Sequence, residues 1–256
     1  MRFSANLGFL WQDRSLTDAI RAAKGAGFAA VEMHWPYEYD ATELADTLAQ
    51  CELPLLGINT DRGDLTAGEN GLSALAGRED EARSAIDQAL AFAQIAGSHA
   101  VHVMAGNATG EKAHTTFCNN LIYACQRAQA IEKMVLIEPL NHHDAPHYFL
   151  KTSLQAIAII EALNLPNLKL MFDCYHIQIM EGDLTRRLEQ CLPHMGHIQF
   201  ASVPDRGRPD EGEINYHHLF RKIHELGWQA PLGAEYKPAG PTEETLGWMS
   251  EYSTLS

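Results

Sequence analysis

Four oxygen-bearing side chains close short apolar runs in the second half of the chain. Glu138 ends Met-Val-Leu-Ile-Glu, Asp173 ends Leu-Lys-Leu-Met-Phe-Asp, Gln199 lies within His-Ile-Gln-Phe and Glu235 within Gly-Ala-Glu-Tyr. Runs of this kind read as buried strands, whose side chains alternate between faces. Any one of the four could cap a loop or pair with a nearby Arg or Lys. Four in succession, each at a strand end, point instead to a built site. Three carboxylates gathered over an apolar interior repel one another and raise their own pKa values unless a cation sits among them. A divalent ion removes that conflict. Oxygen donors without thiolates favour Mg²⁺ or Mn²⁺, and Zn²⁺ or Co²⁺ are compatible with the ligand types.

Such a site needs a scaffold that brings strand ends together. Expected strands cover 3–7, 30–34, 55–59, 100–104, 134–138, 168–173, 197–201 and 232–236, and a segment of helical apolar spacing follows each: 16–24, 42–50, 79–96, 111–131, 154–163, 184–191, 216–225 and 243–252. Eight strands each followed by a helix favour one closed (β/α)₈, or TIM, barrel spanning 1–256 over an open doubly wound sheet. The last residue of each strand then reaches the C-terminal mouth, where barrels carry their chemistry. By parity Met134 and Leu136 lie below Glu138, and Gly233 below Glu235, inside the barrel. Gly25-Ala-Gly27-Phe-Ala-Ala30 matches a loose dinucleotide fingerprint, but it leaves a helix and enters a strand, so it reads as a helix C-cap turn. The Gly- and Asp-rich stretch 60–78 is long for a strand-to-helix loop and falls on the mouth side, as a wall or lid.

Composition narrows the partners. The 256 residues carry 19 Lys and Arg against 33 Asp and Glu, a formal net charge of −14, which repels nucleic acid and acidic lipid headgroups. A small-molecule substrate is expected, and a homo-oligomer is compatible with it. Five scattered cysteines without a C-x-x-C pair suit free thiols in a reducing compartment. No run approaches membrane-spanning length, and residues 1–11 lack a signal-peptide pattern, so a cytoplasmic location is expected. An acidic substrate requires local positive charge. Arg206 and Arg208 follow the seventh strand, and Lys237 shares parity with Glu235. His176, three residues after Asp173, could donate to a substrate oxygen, whereas His197 reads as a core or supporting residue below Gln199. The pairs His142-His143 and His217-His218 lack the helical spacing of a zinc site, and Cys174, Cys118 and Cys125 read as structural.

Taken in order, Glu138-Pro-Leu-Asn141, Asp173-x-x-His176, Gly196-His-Ile-Gln199, Gly212-Glu-Ile-Asn-Tyr216 and Glu235-Tyr-Lys-Pro238 resemble the hydroxypyruvate isomerase family, within the xylose-isomerase-like barrels. Arg2-Phe-Ser-Ala-Asn-Leu7, Gly63-Asp-Leu-Thr-Ala-Gly-Glu69 and Gly77-Arg-Glu79 extend the similarity over nearly the whole chain. The resemblance implies that Glu138, Asp173, Gln199 and Glu235 ligate the metal, and that Glu138 and Glu235 also transfer protons. It implies isomerisation of hydroxypyruvate to tartronate semialdehyde through an enediolate, a reaction that needs two placed acid/base groups and a cation. Gly71-Leu-Ser-Ala-Leu75, Val101-His-Val-Met-Ala-Gly106 and Val203-Pro-Asp-Arg206 are similar to the sister 2-oxo-tetronate isomerases, the alternative reading. Another sugar isomerase or epimerase ranks lower. An abasic-site phosphodiesterase on a related barrel ranks last, because it needs a basic face.

Overall fold

The computed structural model describes residues 1–252, so the last four residues of the expected 1–256 span lie outside it. Eight parallel strands form the sheet: β1 (Phe3–Asn6), β2 (Ala30–Glu32), β3 (Gly57–Asn59), β4 (Ala100–His102), β5 (Met134–Ile137), β6 (Leu168–Asp173), β7 (Met195–Phe200) and β8 (Leu232–Ala234). Their order is β2-β1-β8-β7-β6-β5-β4-β3. A parallel bridge between Val31 and Leu55 joins the two ends, with Val31 N donating to Pro54 O and Leu56 N to Val31 O. The chain is therefore a single (β/α)₈ TIM barrel.

Helices α1 (Leu16–Gly25), α2 (Ala41–Cys51), α3 (Glu79–Ala96), α4 (Gly110–Gln129), α5 (Ser153–Leu163), α6 (Cys174–Met180), α7 (Leu184–Cys191), α8 (Tyr216–Glu225) and α9 (Trp248–Tyr252) cover the sheet. Most starts are set by side chains that accept from free backbone N–H groups: Ser15 from Asp18, Asp40 from Thr42 and Glu43, Thr152 from Gln155, Asn215 from His218. Gly27, at φ 89°, makes the turn from α1 into β2, so the glycine-rich stretch is a helix exit and not a phosphate loop. Two elements depart from the sequence pattern. Helix α6 follows β6 directly, because Asp173 caps it through Tyr175 N, a start that no apolar periodicity announces. The expected final helix is instead a 3₁₀ turn, Thr242–Thr245, and the short α9, separated at Leu246 and Gly247.

The outer core lies between sheet and helices, where Phe3, Phe200, Phe220 and Trp248 stack edge to face. Inside the barrel, Met134, Leu136, Met171 and Ala100 form a small apolar floor. Above it runs a polar layer of Glu32, His197 and Gln199, all buried. Glycine makes room for that layer: a Cβ on Gly233 would stand 2.5 Å from Glu32 Oε1 and 2.8 Å from Gln199 Cγ. Gly25 has open space around it, with nothing within 4 Å of an added Cβ. Gly233→Ala should therefore cost about 1–3 kcal/mol of unfolding free energy in urea titrations, the scale of overpacking a filled interior. Gly25→Ala should be neutral or slightly stabilising, and equal midpoints for the two variants would contradict this account of the interior.

Candidate active site

Glu138 and Glu235 stand one residue beyond the last paired residues of β5 and β8, while Asp173 and Gln199 are partners in the β6–β7 register. All four are buried, and they converge on the same mouth. Each is held by a different device. Asp173 spends one oxygen on capping α6, with Oδ1 accepting from Tyr175 N at 2.9 Å. Gln199 donates Nε2 to Glu32 Oε2 at 2.8 Å, which fixes the amide so that Oε1 is the free atom. Glu235 Oε1 accepts from Asn6 Nδ2 and from His34 Nε2, both at 2.9 Å. Three buried acceptors are then left without a hydrogen-bond partner: Glu138 Oε1, Asp173 Oδ2 and Gln199 Oε1. Buried acceptors left bare on three neighbouring strand ends suit a cation and little else. The residues present therefore fit a metal ion.

Arg206 brings positive charge to this cluster. Its guanidinium lies between the rings of Phe9 and Tyr175, at 4.7 and 4.9 Å from their centroids. It donates to Glu235 Oε2 at 2.6 Å and stands 3.6 Å from Asp173 Oδ2 and 3.4 Å from Asp144 Oδ2. Burial opposes its charge, but the carboxylates of Glu235, Asp173 and Glu138 outweigh that and raise its pKa. The carboxylates respond unequally. Burial, then the charges of Glu235 and Asp173, push Glu138 well above the ordinary range. Burial and Glu235 push Asp173 up to about 8. Burial acts on Glu235 in the same sense, yet Arg206 and His34 hold it well below the ordinary value.

Oxygen and nitrogen atoms of Glu138, Asp173 and His176 come within 4.8 Å of one another, a grouping that could hold a metal. The hydrogen bonding of His176 assigns it a different part. Its Nδ1 accepts from the backbone N–H of Asn141 at 3.0 Å, so that nitrogen bears no proton. Burial and Arg206 hold the ring well below its usual pKa, hence neutral, and the proton resides on Nε2. Nε2–H faces Asp173 Oδ2 at 3.6 Å and Glu138 Oε1 at 3.8 Å, beyond hydrogen-bond distance of either.

Glu138, His176, Arg206 and Glu235 open into a cavity of about 670 Å³, within the range of small-molecule sites, whereas Asp173 and Gln199 are not part of its lining. Its lining includes Glu138, His176, Arg206 and Glu235, and, from the loop after β3, Arg62, Leu65, Gly68, Glu69 and Asn70, so that loop is a wall. It is pinned: Gly71 N donates to Arg62 O, Ala74 N to Ala105 O, and Glu69 pairs with Arg78. Lys237 is exposed and absent from the lining, since only its backbone N–H turns inward, to Arg206 O. Arg208 pairs with Asp210 and Glu211 away from the site. His197 stands 3.0 Å from Glu32 Oε2 beneath Gln199. Strand-end position alone would also have pointed to Asn6, Asn59 and His102, which close β1, β3 and β4, and to Glu32, which closes β2 with His34 two residues beyond.

The raised pKa of Asp173 has a consequence for stability in the presence of a chelator. A carboxyl whose folded pKa exceeds its unfolded value of about 4 stabilises the fold at low pH, and that contribution is lost as pH climbs through the folded value of about 8. Asp173→Asn removes the titration and leaves the histidines in place. Melting temperatures of wild type and D173N in chelator should thus move apart between pH 5 and pH 8, the variant gaining relative to wild type; parallel curves would show that Asp173 ionises normally.

Comparison with known proteins agrees with this geometry. Residues 20–252 match the family model described as "Xylose isomerase-like TIM barrel". A 2-oxo-tetronate isomerase of Cupriavidus necator is 42% identical over 255 residues, covering 98% of both chains. A hydroxypyruvate isomerase of Escherichia coli is 38% identical over 256 residues, covering 98% of this chain and 99% of the relative. Among solved structures, one from Brucella melitensis described as an AP endonuclease of family 2 superposes with a TM-score of 0.94 at 39% identity, over 98% of both chains. A D-psicose 3-epimerase, at 16% identity and a TM-score of 0.78, shares the fold. The chain belongs to the xylose isomerase-like TIM barrel family.

Proposed function

We propose that this protein is a metal-dependent isomerase of small hydroxy-keto acids, converting hydroxypyruvate to tartronate semialdehyde, with 2-oxo-tetronates as the alternative substrates. The observation that carries the reading is the pair of buried carboxylates, Glu138 and Glu235, at the ends of non-adjacent strands β5 and β8, with the partnerless oxygens of Asp173 and Gln199 at the ends of the two strands between them. Full-length relatives named for both activities support the same class. The abasic-site reading finds a namesake in the Brucella melitensis structure, but a chain of net charge −14 opposes a phosphate-tracking role.

Glu138, Asp173, Gln199 and Glu235 would hold the ion, with Mg²⁺ or Mn²⁺ favoured by the oxygen donors. Bound there, a divalent ion supplies the positive charge that stabilises an enediolate. The protein's own groups do the rest. One of Glu138 and Glu235 removes the proton beside the carbonyl, and the other returns one to the neighbouring carbon. Asn6 and His34 fix the orientation of Glu235, and Asn141 fixes the His176 tautomer, so that Nε2–H can donate to a substrate oxygen. Phe9 and Tyr175 shield the floor of the cavity around Arg206. Such a catalyst of small metabolites is consistent with a cytoplasmic location, and no helix among the described residues is long and apolar enough to cross a membrane.

Two measurements test this. Calorimetric titration with Mn²⁺ should show one site, and Asp173→Asn should weaken it by at least about a hundredfold, more than is usual for losing a supporting residue; unchanged affinity would remove Asp173 from the ligand set. Turnover of hydroxypyruvate in D₂O should place deuterium on the carbon that receives the proton, and Glu138→Gln or Glu235→Gln should lower kcat by at least about a hundredfold. A metal-loaded variant at full rate would remove that glutamate from the mechanism.

A further inference from the structure

An acidic substrate in this cavity needs a cation for its carboxylate, and Arg206 is already committed to Glu235, Asp173 and Asp144. Of the residues lining the cavity, only one other, Arg62, carries permanent positive charge. We propose that Arg62, stacked on Trp35 in the wall formed by the β3 loop, is the anchor for the substrate carboxylate, and that it sets the preference of the site for acids over neutral sugars. The role goes to a residue that neither strand parity nor likeness to relatives indicated.

Three observations build the anchor. The Arg62 guanidinium lies 3.7 Å from the centroid of the Trp35 ring, and that ring is fixed by its own N–H, which donates to Thr60 O at 3.0 Å. Stacking leaves the edge of the guanidinium, where its N–H groups lie, free for a planar anion. Next, Arg62 makes no ion pair among the described residues: the charge of its neighbour Asp61 acts on it, but Asp61 Oδ1 is turned to Gly63 N, from which it accepts at 2.7 Å. Finally, its backbone is tied by Gly71 N, so the side chain starts from a fixed point. Trp35 in turn contacts His34, the residue bonded to Glu235, with ring centroids 4.9 Å apart. The anchor is thus linked through two aromatic rings to Glu235, and it lines the same cavity as Glu138 and Glu235.

The isomerase reading names the other half of the substrate, but the anchor is tested by binding alone. Calorimetric titration compares hydroxypyruvate with dihydroxyacetone, in which a hydroxymethyl group replaces the carboxylate, on metal-loaded wild type, Arg62→Met and Arg62→Lys. Methionine keeps an apolar stem over Trp35. Hydroxypyruvate should lose about tenfold to a hundredfold in affinity in R62M, the range for a charged hydrogen bond, and part of that loss should return in R62K. Dihydroxyacetone should change less than about twofold on the same scale. Unchanged hydroxypyruvate affinity, equal loss of both ligands, or no binding of hydroxypyruvate to wild type would each overturn the proposal. Arg62-dependent binding without turnover would support the anchor and sink the isomerase reading, so the two failures are distinguishable.

Discussion

Buried carboxylates at the mouth of an apolar barrel dominate this structure. Glu138, Asp173 and Glu235 lie at 6, 0 and 6% exposure, where water cannot offset their mutual repulsion. Arg206 relieves part of it, and the distribution of its contacts explains the inequality among the three. Glu235 receives a direct charged hydrogen bond and stays ionised, whereas Glu138 and Asp173 are pushed toward the neutral form. A metal ion placed among them would reverse that preference, and its binding would then be coupled to proton release.

The surrounding residues make sense as devices that hold this cluster in one arrangement. Glu32 fixes the amide of Gln199, Asn6 and His34 fix Glu235, the start of α6 fixes Asp173, and Asn141 fixes the tautomer of His176. Glu32 and Asn6 close their own strands, whereas His34 and Asn141 lie in the segments that follow β2 and β5. Gly233 belongs to the same scheme, since only a residue without a side chain leaves space for Glu32 and Gln199 inside the barrel. The loop after β3 adds the far wall, pinned to the loop after β4 by the Gly71–Ala105 bridge.

Much of this was legible before any coordinates. Apolar runs such as Met134-Val-Leu-Ile137 and Leu168-Lys-Leu-Met-Phe172 located the strands, because burial on both faces demands that composition. The placement of Glu138, Asp173, Gln199 and Glu235 at or next to the ends of β5 to β8 followed from the strand pattern. Other features were hidden for physical reasons. The start of α6 depends on one capping carboxylate, not on periodicity. Parity placed Lys237 with Glu235, but the chain leaves the sheet at Ala234, and alternation no longer governs a residue three positions later. Arg62 sits in a loop, where position in space has no period to read. His197 was read as a supporting residue below Gln199, but its partner Glu32 was obscure, since a buried carboxylate in a strand is visible only once its partners across the barrel are known.

The central claim is that the three partnerless oxygens at the strand ends are a cation site shared with Glu235. Anomalous diffraction from a crystal soaked in Mn²⁺ tests it most directly. The account predicts one strong peak bounded by Glu138, Asp173, Gln199 and Glu235. A peak elsewhere, or ordered water filling the position at saturating Mn²⁺, would contradict it.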